Sequence, residues 1–301
     1  MSAAIRSDQN HMQANSKTAI AGLAKQRRTT HNGAMSTAHE EVVLKGGRAN
    51  TGSVVRIGDQ VARPAYPQTP SVADFLRHLV AAGADFVPEP LGFDDEGRHR
   101  LRFIPGNAPV PPYHDWAFDE SLLVQVAHHQ RHLHLLAKGY EPPADASWAI
   151  SAGNYFPDAA ITAGELIVCH NDIGMTNVIV DDDHQFVGFI DFDYCRPVDR
   201  LFDIAVAVRH WAPFGDLDLA LDVDLDRIRR FRLFCDAHEL DSADRRRVVL
   251  LATSFLKHAR ENIKALAAAG GIGFQALLDN GYEATNRATV RWLDENAETL
   301  T

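Results

Sequence analysis

The chain reads as an α+β protein of two lobes, a small antiparallel β-rich lobe followed by a larger, mainly helical one. Three observations carry that reading. Short apolar runs divided by Gly and Asp turns fill the region from Glu41 to Ile104, apolar residues recur at helical spacing through most of the second half, and a Pro- and Gly-rich stretch separates the two. With 301 residues and 46% hydrophobic content, the chain can bury a core large enough for both lobes.

Residues 1–36 precede this pattern. They carry Arg6, Lys17, Lys25, Arg27 and Arg28 against the single acid Asp8, are rich in Ser, Thr, Asn and Gln, and lack hydrophobic periodicity, so they are expected to form a disordered tail. The first lobe is assigned to 37–106. Glu41 to Leu44 is a short extended run, Gly46-Gly47 breaks it, and Gly52 to Ile57 and Gln60 to Arg63 read as two strands around Gly58-Asp59. Val72, Phe75, Leu76, Leu79 and Val80 recur at helical spacing after Pro70, predicting a helix that ends near Gly83. Leu91 to Phe93 and Leu101 to Ile104 read as a strand pair turning at Asp95-Glu96-Gly97. The expected order is β-β-β-α-β-β.

Pro105-Gly106, with Pro109, Pro111 and Pro112 following, interrupts regular structure and marks the hinge; 107–301 forms the second lobe. Helices are expected over Glu120 to Lys138, Arg200 to Trp211, Asp226 to Cys235, Ala243 to Ala268 and Phe274 to Asn296. One β insertion interrupts them, with strands at Leu166 to Cys169, Asn177 to Val180 and Phe186 to Ile190, the last two joined at Asp181-Asp182-Asp183.

Charge and composition exclude several classes. A net charge of -10 argues against nonspecific nucleic-acid binding, which needs a positive surface, while it permits a cationic small molecule. No apolar run approaches the roughly 20 residues that span a bilayer, so no membrane partner is expected. Cys169, Cys195 and Cys235 lie far apart without a C-x-x-C pair, which suits a reducing cytoplasm and suggests neither a disulfide framework nor a structural zinc site.

Two polar clusters, each at the end of an apolar strand, carry the chemistry. The first is His170-Asn171-Asp172-Ile173-Gly174-Met175-Thr176-Asn177, an H-x-D-x-x-x-x-N pattern; the second is Ile190-Asp191-Phe192-Asp193. The hairpin between them would bring them face to face. Phosphoryl transfer needs this arrangement, because its loose transition state requires an aligned nucleophile and neutralised phosphate charge rather than covalent help. Asp172 is positioned to orient or deprotonate a hydroxyl, and Asn177 and Asp191 offer hard oxygens for Mg²⁺. A D-x-D pair alone also suits an aspartyl-phosphate phosphatase, or merely a strand end and turn, but neither alternative accounts for the upstream H-x-D-x-x-x-x-N.

In these motifs the sequence resembles the aminoglycoside phosphotransferase and choline kinase superfamily, distant relatives of protein kinases. The resemblance runs from about Glu41 to the C-terminus and is most specific from His170 to Ala205, where both clusters and Asp203-Ile204-Ala205 follow in the family's order. It implies a two-lobed protein-kinase-like fold and an enzyme that moves the γ-phosphoryl group of ATP, with GTP as the alternative donor, to a small-molecule hydroxyl acceptor with Mg²⁺. By the same resemblance Asp172 is the catalytic aspartate, His170 braces its loop, Asn177, Asp191 and Asp193 hold or help hold metal, and Asp203 ties down the following helix. Gly52 and Ser53 belong to a loop expected over the ATP phosphates, and adenine is expected at Phe103 and Ile104. Arg63 stands where the resemblance leads one to expect a phosphate-binding lysine, and Asp74 is the acid offered near the place of that lysine's usual glutamate partner. The short run from Asp191 to Asp203 lacks D-F-G and A-P-E and so favours a small acceptor over a protein one.

Weaker signals have bland readings. Asp216, Asp218, Asp222, Asp224 and Asp226 suit a cationic acceptor or, equally simply, a solvated loop and helix start. His128 and His132 have metal-pair spacing but no intervening H-E-x-x-H glutamate, so a mixed helix face is expected for this His-rich run. Trp211, Phe214 and Trp292 are expected to fill core. Arg63 and the missing glutamate also motivate a rival reading, a catalytically weak kinase-like binding or toxin-immunity protein.

Overall fold

The computed structural model describes residues 41–44, 53–148, 164–214 and 225–301. The expected tail, Gly46-Gly47, Gly52, Asp216, Asp218, Asp222 and Asp224 lie outside the described residues. The first lobe is a five-stranded antiparallel sheet, ordered β1 (Glu41–Val43), β2 (Val55–Ile57), β3 (Gln60–Arg63), β5 (His99–Arg102), β4 (Pro90–Phe93). Gly58 makes the β2–β3 turn with φ of 63°, a backbone state that glycine adopts without cost. In the β3–β5 register Arg63 lies opposite His99. This last pair of strands corrects the sequence reading: β5 occupies His99–Arg102 rather than Leu101 to Ile104, which frees Phe103 and Ile104 to enter the hinge.

Helix α1 (Thr69–Ala81) crosses between β3 and β4, starting with Pro70 in its first turn, where the missing N–H costs nothing. Its apolar stripe of Val72, Phe75, Leu76 and Leu79 is buried, each large side chain contributing about 1.5–3 kcal/mol of transfer free energy. The helix ends where Gly83 N–H reaches the Val80 carbonyl (3.0 Å) and Ala84 N–H the Leu79 carbonyl (2.9 Å).

The second lobe contains α2 (Glu120–Ala137), α3 (Arg200–Trp211), α4 (Arg227–Ala237), α5 (Ser242–Ala268), α6 (Ile272–Asp279) and α7 (Tyr282–Leu300). The single helix expected over Phe274 to Asn296 is two, because Gly281 takes φ of 85° and N-caps α7. Between α2 and α3 lie two antiparallel pairs, β6 (Leu166–Cys169) with β9 (Arg196–Asp199), and β7 (Val178–Val180) with β8 (Phe186–Phe189). Strand β9 escaped the sequence reading because Pro197 and two charged residues mask a four-residue run.

One apolar cluster spans both lobes, from Val72 and Phe75 on α1 through Leu122 and Val126 on α2 to Phe202, Trp211, Phe231 and Leu293. The connection is pinned at the hinge, where Asn107 and Val180 exchange both backbone hydrogen bonds, at 2.8 and 2.9 Å. Among the described residues, no helix is long and apolar enough to cross a membrane.

Candidate active site

Strand β6 delivers His170-Asn171-Asp172 into the space below the sheet. Asn171 adopts φ of 62°, a left-handed state that asparagine tolerates, and the turn this makes reverses the chain toward Asn177. Its side-chain amide donates to the carbonyls of Cys169 (2.9 Å) and Tyr194 (3.2 Å). His170 is wholly buried beneath the loop. Its Nε2 donates to the Ile190 carbonyl at 3.0 Å and its Nδ1 accepts the Asp172 N–H at 3.2 Å, so one tautomer ties both polar clusters together. The bracing role expected of His170 therefore has a concrete geometry.

Asn177 closes the loop. Its Nδ2 donates to the Asp172 carbonyl (2.8 Å) and to Asp172 Oδ2 (2.9 Å), fixing the carboxylate's rotamer. Its other amide atom, Oδ1, is a hard oxygen donor. The Asn177 carbonyl accepts the Ile190 N–H at 2.9 Å, so Asp191 emerges beside Asn177. Asp191 itself sits at φ 65° and ψ 62°, an uncommon state for a non-glycine residue that recurs where a site constrains its backbone.

Burial pushes the Asp172 carboxyl up from the ordinary aspartate range, with the Asp191 charge adding to the rise and His170 and Arg209 opposing it. Arg209 was missed by the sequence reading; its only signal was a cation inside the apolar run Val206 to Trp211. It lies on α3 with its guanidinium 4.6 Å from the centre of the Phe255 ring, and its Nε lacks a hydrogen-bond partner. The next two residues also face the loop: His210 contacts the space above Gly174, and Trp211 Nε1 donates to the Ile173 carbonyl at 3.1 Å.

From the first lobe, Arg63 reaches down to the second cluster. Its Nη1 and Nη2 each lie 3.2 Å from Asp191 Oδ1, and Nη2 also donates closely to Asp193 Oδ2. Burial works against the guanidinium charge, but the two carboxylates more than offset it and raise its pKa. Burial pushes the Asp193 carboxyl up to about 6, Arg63 pulls against this, and the neighbouring Asp191 adds to it. The Asp191 carboxylate and the Asn177 amide are hard oxygen donors of the kind that suits Mg²⁺, and the Arg63 guanidinium lies against both Asp191 and Asp193.

Below the loop Asp203 is fully buried and organises a network. Its Oδ1 accepts the Asn171 N–H (2.6 Å), and Oδ2 accepts from Gln130 Nε2 (2.8 Å) and pairs with His134 Nε2 (2.7 Å). Burial would raise its pKa, yet His134 and Gln130 more than compensate and hold it below the usual range. Cys169 Sγ lies within 4.8 Å of the His134 and Asp203 ligand atoms, but burial pushes its thiol well up and it offers no thiolate. Gln130 is an α2 residue the sequence did not single out; within the His-rich run His134 is buried and packed, while His128 and His132 are exposed, as a mixed face implies.

The remaining candidates fall as follows. Ser53 lies in the turn before β2. Phe103 follows β5, its N–H donating to the Asp59 carbonyl at 2.8 Å and its ring stacking under Arg56 at 3.9 Å; Ile104 Cδ1 packs over Gly188. Asp74 turns to Arg77 Nη1 (2.7 Å) and the Tyr140 hydroxyl (2.9 Å) rather than to Arg63. Asp226 caps α4 by accepting the Arg229 N–H at 2.9 Å, the helix-start reading. Trp211 and Phe214 are buried core, with Phe214 stacked on Trp292 at 5.6 Å.

Residues 153–234, which include both polar clusters, match the Phosphotransferase enzyme family. Among solved structures, the chain is similar to a choline kinase from Cryptosporidium parvum, at 13% identity and a TM-score of 0.57, covering 95% of this chain and 98% of that one. The chain has a two-lobed, protein-kinase-like fold. A choline/ethanolamine kinase family protein from Mesorhizobium loti aligns at 18% identity and a TM-score of 0.54, covering 84% and 92% of the two chains. The GDP complex of an aminoglycoside 2'-phosphotransferase-IIIa aligns at 14% and 0.51, covering 88% and 94%. No curated protein sequence matches the chain. In this fold, the loop from His170 to Asn177 and the turn at Asp191 sit beneath the sheet that carries Arg63.

Proposed function

We propose that the chain is an ATP- and Mg²⁺-dependent O-phosphotransferase that moves the γ-phosphoryl group to a hydroxyl of a small molecule. The observation that carries this reading is the grouping around Asn177: its amide holds Asp172 Oδ2 at 2.9 Å while its carbonyl accepts the N–H that precedes Asp191. One carboxylate is thereby held for the attacking hydroxyl and a separate one is set beside an amide oxygen. GTP is the alternative donor, in keeping with a relative whose structure is a GDP complex.

Asp172 orients the acceptor hydroxyl and takes its proton as the oxygen attacks phosphorus; the raised pKa brings it closer to neutrality, as general-base work favours. His170 holds the Asp172 backbone, and Asn177 holds its side chain. Asp191 and the Asn177 amide oxygen would hold Mg²⁺, which when bound neutralises phosphate oxygens and orients them in line. Arg63 supplies fixed positive charge from the sheet side. Residues 37–106 serve as the nucleotide lobe, with Gly52 and Ser53 serving the phosphates and Phe103 and Ile104 the adenine, and residues 107–301 carry the catalytic loop and acceptor. Three buried free cysteines suit a reducing cytoplasm.

The test is a magnesium-dependent ATP- and GTP-consumption screen over aminoglycosides, amino alcohols, sugars and nucleosides, with Asp172→Ala as control. Acceptor-dependent turnover that vanishes in the variant is expected. A panel inert throughout, with nucleotide still bound, would turn the reading toward a kinase-like binding protein.

A further inference from the structure

A cation on the third strand that grips nucleotide phosphates needs a carboxylate to aim it; in protein kinases that carboxylate comes from the helix after the strand. Here α1 offers one acid, Asp74, and its oxygens are engaged by Arg77 and Tyr140. Arg63 is only 8% exposed, and its hydrogen-bonding carboxylates both come from the Asp191–Asp193 turn.

Those two carboxylates are not equivalent. Asp193 is the less exposed, at 20% against 37% for Asp191, and takes the closer contact from Nη2, whereas the guanidinium stands 3.2 Å from Asp191 Oδ1. The Asp191 Oδ2 has no side-chain partner among the described residues. A divalent ion on Asp193 Oδ2 would meet the guanidinium charge at contact distance, and among the described residues Arg63 pairs with no carboxylate besides Asp191 and Asp193. Guanidinium carries five N–H donors in a rigid fork, so one edge can stay on a carboxylate while the rest point at phosphate oxygens.

We propose that Asp193 is the positioning residue for Arg63 and not a magnesium ligand: the Arg63–Asp193 pair replaces the strand–helix ion pair of kinases, leaving Asp191 and Asn177 to hold the metal. The inference rests on the nucleotide-binding reading above. It also ties the first lobe to the metal turn through an ion pair.

The experiment compares wild type, Asp193→Asn, Asp193→Glu, Asp191→Asn, Arg63→Met and the Arg63→Met/Asp193→Asn double variant. Calorimetry measures Mg·ADP affinity, and electron paramagnetic resonance measures Mn²⁺ affinity in the presence of saturating ADP. Asp193→Asn is expected to weaken Mg·ADP by about 10- to 100-fold, the usual cost of breaking a desolvated charge pair, while Mn²⁺ affinity stays within about 3-fold. Asp191→Asn should lose Mn²⁺, Asp193→Glu should recover part of the ADP affinity, and with Arg63→Met in place Asp193→Asn should cost less than about 2-fold more. Loss of Mn²⁺ in Asp193→Asn equal to that in Asp191→Asn, or fully additive losses in the double variant, overturns the assignment. Thermal melts identify any variant that fails to fold, and the Asp193→Glu comparison then decides. Wild type that binds no Mg·ADP overturns the nucleotide reading itself, a result separate from either outcome.

Discussion

The backbone N–H of Asn171 donates to Oδ1 of Asp203 over 2.6 Å, so a carboxylate on α3 fixes the turn that presents Asp172. Asp203 has no exposure and accepts from three donors, including Gln130 and His134 of α2. Its job is mechanical.

Asp203→Asn should therefore lose about 3 kcal/mol of stability, because the new amide N–H₂ faces donors in a buried space. The pH dependence has a definite sign. Asp203 is held below the unfolded aspartate value of about 3.9, so its contribution is full above that pH and lost as pH falls through the lower folded value. Urea unfolding at stepwise pH should show a shallower acid loss in Asp203→Asn than in wild type. Parallel acid limbs would show that Asp203 is not the titrating group.

Much of this architecture was legible in the sequence, and the misses share a cause. The β-β-β-α-β-β order and the strand pair flanking Asp181 were readable because turns and apolar periods mark them locally. Strand β9 and the two-residue offset of β5 were not, since pairing partners rather than local pattern place them. At the candidate site, Asp172, Asn177 and Asp191 were picked out by spacing, whereas Gln130 and Arg209, and the place of His134 beside Asp203, depend on contacts made across the fold. Arg63 was noticed as a departure from lysine; its grip on Asp193 needed three dimensions.

For Asp172 the expected outcome is a separation of chemistry from binding. Asp172→Ala should lower kcat by about 10²- to 10⁴-fold, the usual worth of a positioned general base, while Mg·ADP affinity changes little. Because burial raises its carboxyl, the acid limb of kcat/KM in wild type should fall above the ordinary aspartate value of about 4. A variant with undiminished kcat would remove Asp172 from the chemistry.

Arg209 gives an independent handle on the same group. Its charge pulls the Asp172 pKa down against burial, so Arg209→Met should move the acid limb of kcat/KM to higher pH. The methionine retains contact with Phe255, so stability should change by less than the loss of a charge pair would require. The measurement is a pH–rate profile of both proteins. An unmoved limb would mean that Arg209 and Asp172 do not communicate in the working enzyme.

The hinge should be as sensitive as the site. Gly106 adopts φ of 135°, and a Cβ there would collide with the Val180 carbonyl oxygen and with Ile179 Cγ2. Backbone cannot yield as a flexible side chain would, because Val180 and Asn107 are joined by paired hydrogen bonds immediately next door. Gly106→Ala should cost about 2 kcal/mol or more, from the disfavoured conformation and the clash together. The loss should be felt in catalysis as well, since β7 begins at Val178, directly after Asn177, and any shift of Val180 passes along three residues to the amide that holds Asp172. Hydrogen exchange at the Val180 N–H should accelerate in the variant, and kcat should drop along with the urea midpoint. A variant with wild-type exchange at Val180 but reduced kcat would mean that the hinge influences turnover by another route.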